Sequence, residues 1–258
     1  MKEWKSRANC SAPGFNAMRI RLRMIGLLIA GMCLPSHSSA QSQQTSYAVS
    51  VRELSIPSKA LSAFQQGMER MAKKDPAGSL PHFQRAILEY AGYYEAYDRL
   101  GAANLKLWRL PEAEQAFRKS IEVSGGQYAH PMLALGAILD EREDFAEAES
   151  VTRKGLQLDP ESWTGHYYLA LALFGLNRMA DAEKDLHDAL RRKVDFPQAQ
   201  LLLAEIHSRE EDYRSLVSDL DEYLKLAPEG PVSARAKALL ESARGRLSAS
   251  QSNTGLAQ

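Results

Sequence analysis

The sequence predicts an all-helical protein built as a stack of helix pairs, and three observations predict it. A Leu-Gly or Leu-Ala dipeptide recurs at Leu100-Gly101, Leu135-Gly136, Leu169-Ala170 and Leu203-Ala204, at steps of 35, 34 and 34 residues. Ala113, Ala148, Ala182 and Leu216 repeat at the same steps. A bulky side chain runs in phase with both at Phe83, Phe117, Leu186 and Leu220, with Thr152 the weakest member of that series. Periods of this length mark solenoids, whose units bury their apolar faces only by stacking on one another.

The chain begins with a segment of different character. Residues 1–40 carry Lys2, Lys5, Arg7, Arg19, Arg21 and Arg23 against Glu3, together with both cysteines, Cys10 and Cys33. The apolar run 24–34 follows the three arginines, and Pro35 and Ser38-Ser39-Ala40 follow the run. Positive charge, a short apolar stretch and small residues are the pattern of a secretory signal peptide, with cleavage expected between Ala40 and Gln41. The run is shorter than the ~20 residues a bilayer-spanning helix needs. An uncleaved inner-membrane anchor and a lipid on Cys33 are the alternative readings, and Met18 or Met24 are alternative starts. Removing residues 1–40 leaves 26 basic and 31 acidic residues and no cysteine. Stability must then come from packing rather than disulfides. A mildly acidic chain also lacks the clustered positive face that nucleic acid requires.

Residues 41–59 read as a linker. Within it, Tyr47–Ile56 alternates as a strand would. The sequence offers no second strand, so an extended segment lying on the first helices, or ordered by a partner, is expected. Five helix pairs follow, at 60–93, 94–128, 129–162, 163–196 and 197–230. Their first helices show apolar or small residues at helical spacing, as in Met132, Leu135, Gly136 and Leu139. Gly101, Gly136, Ala170 and Ala204 leave room for the second helix to approach. Polar turns separate the members of a pair (Lys73–Asp75, Arg142–Asp144, Glu210–Tyr213), and Asp75-Pro76 reads as a helix start. Residues 231–247 form a further amphipathic helix suited to capping the stack. The polar tail 248–258 is expected to be disordered.

A unit of 34 residues with Leu-Gly early, Ala at its twentieth place, a large residue four later and Pro near its end (Pro160, Pro228) resembles the tetratricopeptide repeat. The resemblance covers about two thirds of the chain. It implies a right-handed superhelix whose first helices line a concave groove that takes extended peptides or helices. The first unit departs from the pattern at Ser79 and Pro81. The fifth has Leu216 and Tyr223 where small residues are usual, so its two helices are expected to splay.

Carrying over the family's groove-facing places gives a definite set. The first unit offers Leu61, Phe64, Met68 and Met71, and the second offers Glu95, Asp98, Leu105 and Lys106. The third offers His130, Leu133, Asp140 and Glu141, the fourth Tyr167 and Phe174, and the fifth Gln198, Glu205 and Arg209. The groove is thus expected to run from an apolar end, through an acidic middle, to an aromatic patch. Phe64, Met68 and Met71 also suit burial under Tyr47–Ile56, and Tyr167 and Phe174 suit either core or recognition surface. Asp98 and Ala102 stand where the family's carboxylate clamp has Lys and Asn, so an acidic C-terminal tail is not the expected partner. A neutral or basic segment is.

Catalytic signatures are missing from the sequence: there is no HExxH, GxSxG, P-loop or GxGxxG. Beyond residue 40 the histidines are His82, His130, His166, His187 and His207. No two stand three or four apart on one helix, so no compact zinc site, and no metal or other cofactor, is expected. His207 falls where the family buries a large residue and reads as a core histidine. His130 and His166 read as solvated or groove-facing. The acidic runs Asp140–Asp144 and Glu210–Asp212 read as solvated turns. The resulting expectation is a protein-binding scaffold or adaptor of the bacterial cell envelope, periplasmic or secreted, and not an enzyme. A structural subunit of an envelope assembly or secretion complex, or the accessory arm of a hydrolase, are the rival expectations.

Overall fold

The computed structural model describes residues 56–254. The signal peptide and cut site expected from the sequence, and residues 47–55 of the alternating stretch, lie outside the described residues. Within them are eleven helices and no strand: α1 (Ser58–Ala72), α2 (Pro76–Glu89), α3 (Tyr94–Lys106), α4 (Leu110–Val123), α5 (Ala129–Glu141), α6 (Phe145–Leu158), α7 (Trp163–Gly175), α8 (Met179–Arg192), α9 (Pro197–Arg209), α10 (Tyr213–Leu226) and α11 (Ser233–Thr254). None of them is long and apolar enough to cross a membrane. The chain is an all-α solenoid in which each odd helix packs on the even helix that follows it, and each pair packs on the next.

The turn inside every pair is made the same way. Lys74, Trp108, Glu143, Asn177 and Glu211 all adopt left-handed backbone, with φ between 57° and 65°. The residue after each donates its N–H back to the last turn of the preceding helix: Asp75 to Arg70 O, Arg109 to Asn104 O, Asp144 to Leu139 O, Arg178 to Leu173 O and Asp212 to His207 O. This closure satisfies carbonyls that a helix end would otherwise leave open, and it usually recruits glycine. Here side-chain-bearing residues hold it in all five pairs. Starts are capped more selectively. Asp75 accepts from Gly78 N at 2.8 Å, Ser162 from Gly165 N and Asp212 from Ser215 N.

A glycine is matched to an aromatic ring across each of the first two pairs. A Cβ on Gly67 would stand 2.6 Å from Phe83 Cε1, and one on Gly101 would stand 2.7 Å from Phe117 Cε1. The small residue therefore makes room for the ring that the second helix inserts. In the third pair Thr152 replaces the ring, and a Cβ on Gly136 would meet its Oγ1 at 2.1 Å. Thr152 Oγ1 is buried without a hydrogen-bond partner. Gly136→Ala is therefore expected to destabilise by about 1–3 kcal/mol. The double variant with Thr152→Ala should recover most of the loss in urea titrations.

The first and fifth pairs tolerate their irregularities. Helix α2 runs through Pro81, and the buried Ser79 turns its hydroxyl onto Pro76 O at 2.7 Å. In the fifth pair the expected splaying does not occur. Leu216 and Tyr223 are both buried, and α9 packs closely on α10. The sparsest contact between consecutive helices is instead at α8–α9. Helix α11 buries Ala236, Leu240 and Ala243, one face of a helix, and Arg244 binds Asp221 at 3.0 Å. It continues to Thr254, so the first part of the tail expected to be disordered is helical. Small and uncharged polar residues follow Leu247, with no Pro or Gly up to Thr254 to stop the helix.

Candidate partner-binding groove

The odd helices form one layer of the array. α5 touches α7, α3 touches α5, and α1 touches α3. Residues seven apart on such a helix share a face, so Leu133 and Asp140 lie on one stripe of α5. The groove residues expected from the sequence fall on these odd helices, but many of them are engaged with the neighbouring repeat.

At the second and third pairs, Asp98 is fully buried. Its carboxylate lies 2.7 Å from His130 Nδ1 and accepts from Tyr128 Oη at 3.3 Å, with Arg99 Nε at 3.7 Å. Burial and the Asp98 charge together push the Tyr128 hydroxyl up. Tyr128 precedes α5 and packs its ring, tilted, against that of Tyr94 at 5.1 Å. Glu95 and Lys106, at opposite ends of α3, are half-buried, as is Glu141 at the end of α5.

Asp140 is the exception. It is not a solvated turn residue but the penultimate residue of α5. Both its carboxylate oxygens are buried without a hydrogen-bond partner, and burial raises its pKa well above the ordinary carboxylate value. Its charge is felt by Tyr167 on α7, whose hydroxyl is pushed up mainly by burial and secondly by Asp140. Tyr167 is 1% exposed and packs edge-on to Phe196 at 4.8 Å, with Trp163 on the same ring at 4.9 Å. The open aromatic patch expected at Tyr167 is thus part of the core. Phe174 remains half-buried, with the Arg209 guanidinium 4.0 Å above its ring. Arg209 also donates to the buried Glu205 at 3.2 Å. At the first pair, Leu61 is exposed while Phe64 leans on Tyr93 at 4.9 Å and on Phe83 at 5.8 Å.

The acidic middle of the groove is therefore largely internal. Asp98 is spoken for by His130 and Tyr128, while Asp140 lacks a counterpart. Sequence spacing places Asp140 on the stripe of Leu133, yet the acidic run that follows it disguised its burial. Nothing in the sequence pairs Tyr128 with Asp98.

Two further histidines are tied to carboxylates. His207 is buried, with Nδ1 2.6 Å from Asp219 and Nε2 3.4 Å from Glu183. It joins α9 to α10 and to α8. The Asp219 hydrogen bond, against the opposing pull of burial, raises the His207 pKa to about 9. A raised histidine pKa contributes stability that is fully present below about pH 6.5. That contribution is lost as pH rises through about 9. His207→Leu is expected to lower stability by about 1–3 kcal/mol at pH 6. The gap to the parent should close by pH 10 in paired thermal melts. His166 is neither solvated nor directed at the groove. Nδ1 lies 2.8 Å from Asp185 on α8 and Nε2 lies 3.1 Å from Pro160 O. Asp185 raises its pKa, with burial opposing. His166, Asp185 and Asp188 present three ligand atoms within 4.8 Å of one another. The members of this set come from two helices, so histidine spacing along a single helix gives no sign of it.

Comparison with known proteins agrees with this architecture. Residues 141–206 match the model of the tetratricopeptide repeat family. No curated protein sequence matches the chain. Among solved structures, PilW, described as a widely conserved type IV pilus biogenesis factor, is similar at 17% identity with a TM-score of 0.62, over 76% of this chain and 94% of that one. MamA from Desulfovibrio magneticus RS-1 is similar at 15% identity and 0.60, over 68% and 99%. YrrB, described as a repeat protein of this kind with an unusual peptide-binding site, is similar at 14% identity and 0.58, over 69% and 92%. At these identities the likeness is one of fold.

Proposed function

Starting from a chain that carries tetratricopeptide repeats, matched as such over residues 141–206, we propose that it is a non-catalytic scaffold of the bacterial cell envelope that binds a basic protein segment along its odd helices. The observation that carries the reading is Asp140. A buried carboxylate without a partner destabilises the fold that contains it. Function can hold a site in a destabilised arrangement, and a ligand of opposite charge would relieve this one. A lysine or arginine side chain of a partner, entering between α5 and α7, would pair with Asp140 once the side chains covering it part. Glu95 and Glu141 on the same layer add negative potential, and Arg209 over Phe174 closes the far end. Lys106, His130 and Glu205 shape the walls.

The exported location rests on the signal-like segment 1–40. A second reading, a stoichiometric subunit of an envelope assembly, draws on the likeness to the pilus biogenesis factor. The two differ in what co-purifies: one partner at fixed stoichiometry supports the subunit, and several at low occupancy support the adaptor. The groove itself is tested by selecting peptides from a random display library on the full chain. Selected sequences should be rich in Lys or Arg, and Asp140→Ala should lose at least tenfold in affinity for them. Selected peptides without basic residues, or undiminished binding by Asp140→Ala, would remove Asp140 from the recognition surface.

A further inference from the structure

We propose that His166, Asp185 and Asp188 form a binding site for a divalent transition cation of the zinc class, set between α7 and α8. The site is independent of the partner groove. His166 sits one turn into α7, and Asp185 and Asp188 lie three apart on α8, where helical spacing puts them on one face. All three side chains are half-buried, with 13%, 15% and 18% of each exposed. Their donor atoms fall within 4.8 Å of one another. A single ion with bonds of about 2.0–2.2 Å can reach all three after small side-chain shifts.

The hydrogen-bonding of the ring sharpens the case. Nε2 faces the Pro160 carbonyl oxygen at 3.1 Å, and a carbonyl only accepts, so Nε2 carries a hydrogen. Nδ1 is left facing Asp185 Oδ1 at 2.8 Å, which also only accepts. Two such atoms at that distance either share a hydrogen or bind one metal ion side by side. The Pro160 contact is the arrangement that fixes ring orientation in metal-bound histidines, where the nitrogen not on the metal donates to a carbonyl. One imidazole with two carboxylates suits zinc or a neighbouring first-row ion better than calcium. Three protein ligands leave a coordination position open.

Two arginines bear on the site. Arg191 pairs with Asp188, but its side chain is 74% exposed and can swing away. Arg192 is held on Glu161 at 3.0 Å and on the Asp188 carbonyl at 2.9 Å. It stays outside the donor set.

The test is calorimetric titration of the full chain with Zn2+, comparing the parent with His166→Gln, Asp188→Asn and, as a control, His187→Gln. His187 is an exposed neighbour on α8 outside the set. Cys10 and Cys33 offer ligands elsewhere, so the reading is the component lost on substitution. A site weakened at least tenfold by His166→Gln and by Asp188→Asn, and unchanged in His187→Gln, is the expected result. The same variants should lose the visible absorption of bound Co2+. Binding that neither substitution alters, or that His187→Gln weakens equally, would overturn the proposal and leave an imidazolium–aspartate pair. Should His166→Gln fail to fold by circular dichroism, Asp188→Asn carries the test.

Discussion

Phe117→Ala is expected to lower stability by about 3–5 kcal/mol, the range for deleting a buried aromatic ring. The ring is fully buried on α4 and rests on Gly101 of α3. It belongs to a cluster with Ala113, Ala134, Leu135, Ile138, Leu139, Ala148 and Ala172. Those residues come from α4, α5, α6 and α7, so three consecutive repeats share one core. Gly101 itself has no side chain to fill the vacated volume. The check is urea unfolding followed by far-ultraviolet circular dichroism. A solenoid is held by contacts between neighbours, so the loss should also loosen the coupling across α4–α5. A lower midpoint with a broadened or two-step transition is the expected curve. A midpoint shift corresponding to less than 1 kcal/mol would contradict the shared core.

Asp140→Ala is expected to do the opposite, raising stability by about 1–3 kcal/mol at neutral pH. The sign follows from the raised pKa. An unfolded aspartate ionises near pH 3.9, whereas burial holds the folded carboxyl protonated to higher pH. Between those values the folded chain binds more protons than the unfolded one, so stability falls as pH rises above about 4. The variant lacks this titration. Its advantage should be small near pH 3.5 and reach its full size once the folded carboxyl ionises. Thermal melts of parent and variant between pH 3.5 and 8 measure it directly. An equal shift at every pH would mean that packing rather than charge dominates.

The repeat was legible because its markers have physical reasons to stay in phase. Gly101 with Phe117, and Ala170 with Leu186, trade volume across a helix pair, so the small residue announces a large one sixteen positions on in every pair but the third, where Gly136 faces Thr152. Asp75-Pro76 announced α2 by capping chemistry, and His207 announced its own burial by replacing a large residue. The intra-pair turns were less legible. Their left-handed residues are Lys, Trp, Glu, Asn and Glu, and only asparagine is a common choice for that backbone. At the groove, periodicity put side chains on the correct helices but could not say which of them the neighbouring repeat would claim. Asp98 and Tyr167 are consumed by contacts about thirty residues away, with His130, Tyr128 and Phe196. Long-range pairing of that kind leaves no local pattern. The same holds for His166 and the two aspartates of α8, which only the folding of one helix against the next brings together.

A partner is proposed to engage the odd-helix layer around Asp140. The most direct test of that engagement places a photo-crosslinking amino acid at Ala137, between Leu133 and Asp140 on α5, and separately at the exposed Arg153 on α6. Irradiation of the producing cells should give a discrete protein adduct from position 137, weak or absent from position 153, and lost when Asp140→Ala is added. Adducts from position 153 alone, or an adduct at 137 indifferent to Asp140→Ala, would contradict it.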